Sequence, residues 1–499
     1  MTSDTSSGLM KGRLPNWSPA VPVAAAFIIF AAAQLSINSV NGWWSDELYA
    51  LWASDIAAPF SDVFAERIYP DTNPPLYFSL LYLARLLISG DRAAVLALNI
   101  GFLVAAGASV LLISRPARLV GLAAISVAAF VLSGPVLTYT AEGRAYLAAL
   151  AVAFVAAWCV ALAVERRDDR PSLPVFAALG ALGALVHVYS ALFCGTLAAG
   201  LLILALWNSS RRDLILPAVA LGAAASVALV AWLLTITGSL GRVDWMEFSR
   251  ATVVGAAWYV KEITVGPRLL GLLLIFLLLL GLFQKKTRPI VMVFGIAFGL
   301  FIALPLVISL KKPMISGRYW VIGAPGIIVL LAFLARAWWS QLADRGILSW
   351  PAAAVAGAIA LAVATSISGF VTAREFVATK PTWKGAEIAR PLLGGCPPAS
   401  VHVGRGKIEG GDASIHAFSK VGEVPAAVFI DAGYASTQPL TPSGARCPVL
   451  GWAEHVLLGD GFPSRAPESE LLRVLKIQAE PGEIVVHRHR TGFVLLKRP

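Results

Sequence analysis

Six of the 29 acidic residues of this 499-residue chain fall in one stretch, NGWWSDELYALWASDIAAPFSDVFAERIYPDTNPPLY, residues 41–77. Asp46 and Glu47 follow two tryptophans, and Asp71 stands just before Asn73-Pro74-Pro75. Carboxylates beside aromatic residues that favour the membrane–water boundary are suited to proton abstraction at a bilayer surface. On a helix, adjacent side chains point about 100° apart, so Asp46 and Glu47 cannot form a matched acid/base pair. One can face a reacting group while the other braces the loop. Asp71 is a second candidate carboxylate, brought near by folding of the loop. The plainer alternative is a solvated acidic loop.

Three further segments carry polar groups of the right kind. TAEGRAY, residues 140–146, places Glu142, Arg144 and Tyr146 at the start of an apolar run. Their alternative role is an internal Glu–Arg pair with an interface tyrosine. His187 and Tyr189 sit at the end of another run, where a histidine is either a ligand-binding group or a hydrogen-bonded structural residue. LKKPMISGRYW, residues 310–320, concentrates Lys311, Lys312 and Arg318 next to Tyr319. Such a group can clamp a phosphate at the membrane surface, or its side chains can snorkel from two helix ends.

The elements that must position these residues are membrane helices. The composition is 58% hydrophobic and 14% charged, with mean hydropathy +0.74, against roughly 25% charged residues in ordinary globular domains. Apolar runs long enough to cross a bilayer are expected at about 19–38, 92–113, 117–137, 145–163, 172–188, 190–207, 214–237, 268–284, 289–310, 319–338 and 349–371. That makes about eleven, and the length and setting of the first exclude a cleaved signal peptide. Pro74–Ser89 is apolar but only 16 residues long, contains Arg85 and starts with two prolines, and is expected to lie on or dip into the membrane surface.

Leaving it out puts the basic loops 115–118, 165–170, 209–213, 284–288 and 336–345 on the cytoplasmic side, as the positive-inside rule requires. Residues 1–18 are then a cytoplasmic terminus and 19–371 the membrane domain, with an acidic first outer loop at 39–91. Segments 41–77, 138–146, 238–267 and 311–319 share the outer face. Residues 372–499 read as a small α/β domain on that same side, with strands at 400–403, 426–430, 483–486 and 493–496 and a helix at 468–477.

The net charge of +11 is spent on orientation loops without nucleic-acid recognition spacing, so a nucleic-acid partner is not expected. The four cysteines have no metal spacing, and Cys396 and Cys447 could pair in an oxidising compartment.

In this order, WWSDELYALWASD, DTNPPLYFSLLYLARLL, TAEGRAYLAAL and SGRYWVIGAPG resemble the membrane glycosyltransferases of the GT-C superfamily. The resemblance is nearest to the glycosyltransferase family 39 type, which includes protein mannosyltransferases and the bacterial aminoarabinose transferase of lipid A, and it covers about residues 19–371. It implies inverting transfer of a sugar from a polyprenyl-phosphate donor to a hydroxyl of a lipid, glycan or protein acceptor in the cell envelope. The setting it implies is the outer face of a bacterial inner membrane. Asp46 corresponds to the family's general base, with Glu47 beside it, and Asp71 to the acidic position before Pro-Pro. Where family members often carry His before Pro-Pro, this chain has Asn73.

The residues imply no certain cofactor, and Asp46, Glu47 and Asp71 are compatible with either a divalent metal or metal-free chemistry. Two other classes fit a polytopic chain: a transporter or flippase of lipid-linked sugars, and a non-catalytic envelope assembly protein. Nearly charge-free span interiors, with polar groups at one face, weigh against a transporter, whose sites lie near the bilayer midplane.

Overall fold

The computed structural model describes residues 18–39, 41, 45–71, 73–115, 119–165, 170–235, 248–264, 281–282, 284–344, 367–378, 401–405, 427–431, 449–454, 469, 481–489 and 492–497. For Ser45, Asp46 and Leu48 the description covers the backbone alone. The helices in chain order are α1 (Ala20–Asn38), α2 (Ser45–Ala53), α3 (Phe60–Val63), α4 (Leu76–Leu87), α5 (Asp91–Ile113), α6 (Val120–Val131), α7 (Gly134–Tyr139) and α8 (Tyr146–Glu165). They continue with α9 (Leu173–Val186), α10 (Val188–Trp207), α11 (Ile215–Thr235), α12 (Arg250–Thr264), α13 (Arg288–Ser309), α14 (Gly317–Trp320) and α15 (Ala324–Asp344).

Among the described residues, seven helical segments are long and apolar enough to cross a membrane: Ala20–Asn38, Asp91–Ile113, Tyr146–Glu165, Val188–Trp207, Ser209–Thr235, Arg288–Ser309 and Gly317–Trp338. The chain is a multi-pass α-helical membrane protein. Four of the expected spans depart from expectation or are only partly seen. The run at 117–137 is broken into α6 and α7, because Ser133 is extended and Pro135 starts a new helix. The run at 172–188 gives only the 14-residue α9, which His187 ends in an extended conformation. Of 268–284, only 281–282 and 284 are described, and of 349–371 only 367–371, which lie in a helical stretch described over 367–378.

The 12-residue α4 rises about 18 Å, short of a hydrocarbon core about 30 Å thick. Two prolines open it, and Gly90, at φ 90°, turns the chain back into α5.

The architecture is organised around α8. Ninety-four per cent of its most apolar window is buried, because α5, α9, α10 and α15 pack around it. Its alanine-rich sequence lets those helices approach closely. At its C-terminal end the arginines gather. One Arg211 nitrogen donates to the carbonyls of Ala163 and Val164 at 3.0 and 2.7 Å. Glu165 pairs with Arg336, and Arg170 with Asp213 at 3.4 Å. Guanidinium groups on the last carbonyls of a helix answer both its unsatisfied acceptors and its dipole.

The tail carries a mixed five-stranded sheet of β1 (Val401–Arg405), β2 (Ala427–Asp431), β3 (Val449–Glu454), β4 (Ile484–His489) and β5 (Gly492–Lys497), in the order β2-β1-β3-β5-β4. β1 lies parallel to β2 and β3, and β5 antiparallel to β3 and β4. Four strands match the expected runs. β3 was missed, since PVLGWAEH reads as neither a clear alternation nor an apolar block. Within the expected helix 468–477 only residue 469 is described, and Cys396 and Cys447 lie outside the described residues.

Candidate active site at one end of the bundle

The first loop is held from below by a buried arginine. Arg85 on α4 donates to the carbonyls of Leu51 and Ser54, at 2.6 and 2.7 Å, and pairs with Asp91 at 2.7 Å. It thereby caps the C-terminus of α2, the helix that carries Asp46 and Glu47. Arg67 ties the next turn, donating to the Trp52 carbonyl and to Asp55 and lying 5.0 Å from the Trp52 ring centroid. Asp71 is buried, with both carboxylate oxygens engaged. Tyr49 donates to one, and Asn73 donates to the other from its backbone N–H and side-chain amide at 2.6 and 2.8 Å. Asn73 closes this turn.

Glu47 is wholly buried, and its Oε1 accepts from the Gly143 N–H at 3.2 Å. That contact joins the first loop to the turn 140–146. Asn41 donates to the Ala141 carbonyl at 3.2 Å, and Asn99 on α5 donates to the carbonyls of Thr140 and Glu142 at 2.9 and 2.8 Å. Glu142 is buried and Arg144 half-buried. Glu47, Arg144 and Glu142 all lie close enough to act electrostatically on the Tyr77 hydroxyl. The Asp46 side chain lies outside the described residues; its backbone is in the first turn of α2.

Beyond Arg144 an aromatic cluster closes the site. The His187 ring lies 5.6 Å from Tyr146 and 5.4 Å from Tyr319, and Tyr319 lies 4.8 Å from Tyr189. His187 Nδ1 accepts from the Tyr189 N–H at 3.1 Å, so the neutral ring carries its proton on Nε2. Burial, then the charge of Arg144, push the His187 pKa down to about 3, so the ring is neutral throughout the physiological range. Tyr189 donates to the Met314 carbonyl at 2.5 Å, fastening the 311–319 segment onto α10. Tyr139 and Tyr259 share a hydroxyl–hydroxyl bond of 2.5 Å, with Glu142 and Arg318 in electrostatic reach of both. Burial raises both phenols, so both act as neutral hydrogen-bonding groups.

The four polar segments singled out in the sequence therefore meet at the N-terminal end of α8, opposite the arginine-rich end. Glu47, Glu142, Arg144, Tyr146, His187, Arg318 and Tyr319 belong to one neighbourhood. Asp71 sits on its flank as a turn brace. Lys311 is exposed at the C-terminal end of α13, its N–H bonded to the Ile308 carbonyl, and Lys312 follows it there.

Sequence reasoning missed Asn41, Asn99, Tyr139 and Tyr259. Only Asn99 carried a local signal, being a side-chain amide inside an apolar span. Among the described residues no group of three His, Cys, Asp or Glu is placed to hold a metal ion.

No protein-family model matches the chain, and no curated protein matches it in sequence. The fold is similar to that of ArnT from Cupriavidus metallidurans in its apo crystal structure. The TM-score is 0.52 at 15% identity, over 96% of this chain and 97% of that one. ArnT bound to undecaprenyl phosphate aligns with a TM-score of 0.49 at 14% identity over the same shares. The Archaeoglobus fulgidus oligosaccharyltransferase aligns at 0.43 and 14%, over 75% of this chain and 58% of that one. The architecture expected from the sequence, that of the GT-C membrane glycosyltransferases, is the fold of this chain.

Proposed function

We propose that the protein is an inverting glycosyltransferase that moves a sugar from a polyprenyl-phosphate donor to a cell-envelope acceptor hydroxyl at the outer face of the membrane. The observation that carries this reading is the convergence of a carboxylate-bearing loop, a buried Glu–Arg turn and an arginine-bearing aromatic cluster at one end of a GT-C bundle. A glycosyl phosphate has a good leaving group, so the reaction needs no strong general acid. The acceptor hydroxyl does need a base within about 3 Å.

Asp46 is that base, and Glu47, bonded to Gly143, and Asp71, bonded to Tyr49 and Asn73, brace its loop. As the sugar–phosphate bond breaks, charge grows on the departing phosphate. Arg144 and Arg318 stabilise it in a site shielded from water, where such contacts are strongest. Lys311 and Lys312, further out, draw the anionic headgroup to the surface. Tyr146, His187, Tyr319 and Glu142 line the sugar side, the histidine as a neutral Nε2–H donor. The acid-rich loop and the tail domain face the compartment that holds the acceptor.

Incubating the purified protein with a radiolabelled polyprenyl-phosphate sugar and envelope acceptors tests this. Label transferred to acceptor is the expected result. Label carried across a proteoliposome membrane without transfer would instead identify a transporter.

A further inference from the structure

We propose that Asn99, deep in α5, is a positioning residue for this reaction: it fixes the Thr140–Gly143 turn from which Arg144 reaches the transferring phosphate. The inference rests on the glycosyl-transfer reading given above.

Asn99 is wholly buried within a span, where an amide is costly unless its hydrogen bonds are made. Three of its four hydrogen-bonding positions are used. The two Nδ2 hydrogens go to the carbonyls of Thr140 and Glu142, and Oδ1 accepts from Tyr77 at 3.4 Å. Two carbonyls flanking one residue need two hydrogens diverging from one planar nitrogen, which a side-chain amide supplies and a hydroxyl does not.

The bonds from Asn41 to Ala141 and from Glu47 to Gly143 complete the set. Each of four consecutive residues thus has a main-chain group tied to a distant side chain, in a turn that has no helix or strand of its own. Val95, one helical turn before Asn99, packs against Gly143, so α5 supports the turn from below. Arg144 is the next residue. Asn99 has no other route to the chemistry: its described partners are the turn and Tyr77, a residue of the PPLY element. Its amide is where α5, the acidic loop and the Arg144 turn are joined.

Substituting Asn99 by alanine or glutamine separates this role from plain core support. In Asn99→Ala, kcat for sugar transfer should fall by about 10- to 100-fold, the range that misplacement of a reacting group by around 1 Å produces. Amide hydrogen exchange at 140–144 should rise while the helical spans keep their protection. Asn99→Gln, which retains the two donors on a longer arm, should recover part of kcat.

The decisive readout is the Arg144→Ala background. There Asn99→Ala should cost little more, because the group it positions is already gone. A full multiplicative loss in that background, or unchanged exchange at 140–144, overturns the proposal. If the wild-type protein transfers no sugar, the glycosyltransferase reading fails by itself. Binding of plain polyprenyl phosphate then tests the coupling: weaker binding by Asn99→Ala, absent in the Arg144→Ala background, supports it, and equal binding by both proteins overturns it.

Discussion

Gly317 gives the sharpest test of how the cationic segment is seated. A Cβ at this position would stand 2.7 Å from Tyr259 Cδ1 and 2.8 and 2.9 Å from its Cβ and Cγ, where ordinary contact begins near 3.4 Å. In Gly317→Ala one side must therefore retreat by about 0.7 Å. If the Tyr259 ring moves, its 2.5 Å bond to Tyr139 stretches to the limit of a useful hydrogen bond, losing about 1 kcal/mol. If the turn moves, Arg318 moves with it, and displacement on this scale can cost about 100-fold in turnover.

Strain of either kind adds roughly 1–3 kcal/mol of destabilisation. Thermal unfolding in detergent and transfer kinetics, measured together, separate the two. Tyr259→Ala removes Cγ and Cδ1 and leaves only Cβ in the way, and in that background Gly317→Ala should cost measurably less than in the wild type, a non-additivity expected of residues in contact. Equal cost in both backgrounds, or a Gly317→Ala protein with wild-type stability and kinetics, would refute the packing argument.

Asp46→Asn should lower turnover by roughly 100-fold or more at unchanged expression; near-normal transfer would remove Asp46 as the base. Arg318→Ala should cost about 10- to 150-fold in kcat/KM, with partial recovery in Arg318→Lys because the bidentate fork is lost; wild-type kinetics would place the donor phosphate elsewhere. His187, whose pKa is pushed down to about 3 by burial and then by Arg144, binds fewer protons folded than unfolded. Its contribution to stability is therefore complete above about pH 6.5 and lost as the pH falls toward 3. His187→Gln should flatten the fall in melting temperature over that window, and an unchanged profile would contradict its burial as a neutral ring. In cells expressing a cysteine-free protein, Ala65→Cys should react with an impermeant thiol reagent and Arg212→Cys should not; the opposite pattern would invert the topology.

Much of this arrangement was legible in the residues. Charge asymmetry grouped the polar segments, and Glu47, Arg144 and Arg318 do converge, because loops at the same end of a bundle are neighbours whatever their separation in sequence. Hydropathy marked α1, α5, α8, α10, α11 and α13 by length alone. It failed at 117–137 and 172–188, where Ser133 and His187 turn extended inside apolar runs that a hydropathy window averages over. Nor could it show which carboxylates are spoken for. Asp71 read as a second candidate carboxylate, and its oxygens accept from Asn73 and Tyr49, a pairing set by loop geometry. The Tyr139–Tyr259 bond joins residues 120 positions apart, and no local pattern marks such a pair.

The near-complete enclosure of α8 has a consequence for how this protein tolerates change. A helix on the rim of a membrane bundle has one permissive face, and substitutions along it trace a stripe. α8 has no such face, so a mutational scan should show it sensitive at every position from Tyr146 to Val164, most of all where an alanine would become larger. Because Tyr146 begins the helix and Arg144 stands two residues before it, a bulge introduced near Glu165 could be transmitted along some 30 Å of rigid rod to the place where the donor is held. Activity would then decline before the protein unfolds, and variants with lost function and normal abundance should map to residues far from the site.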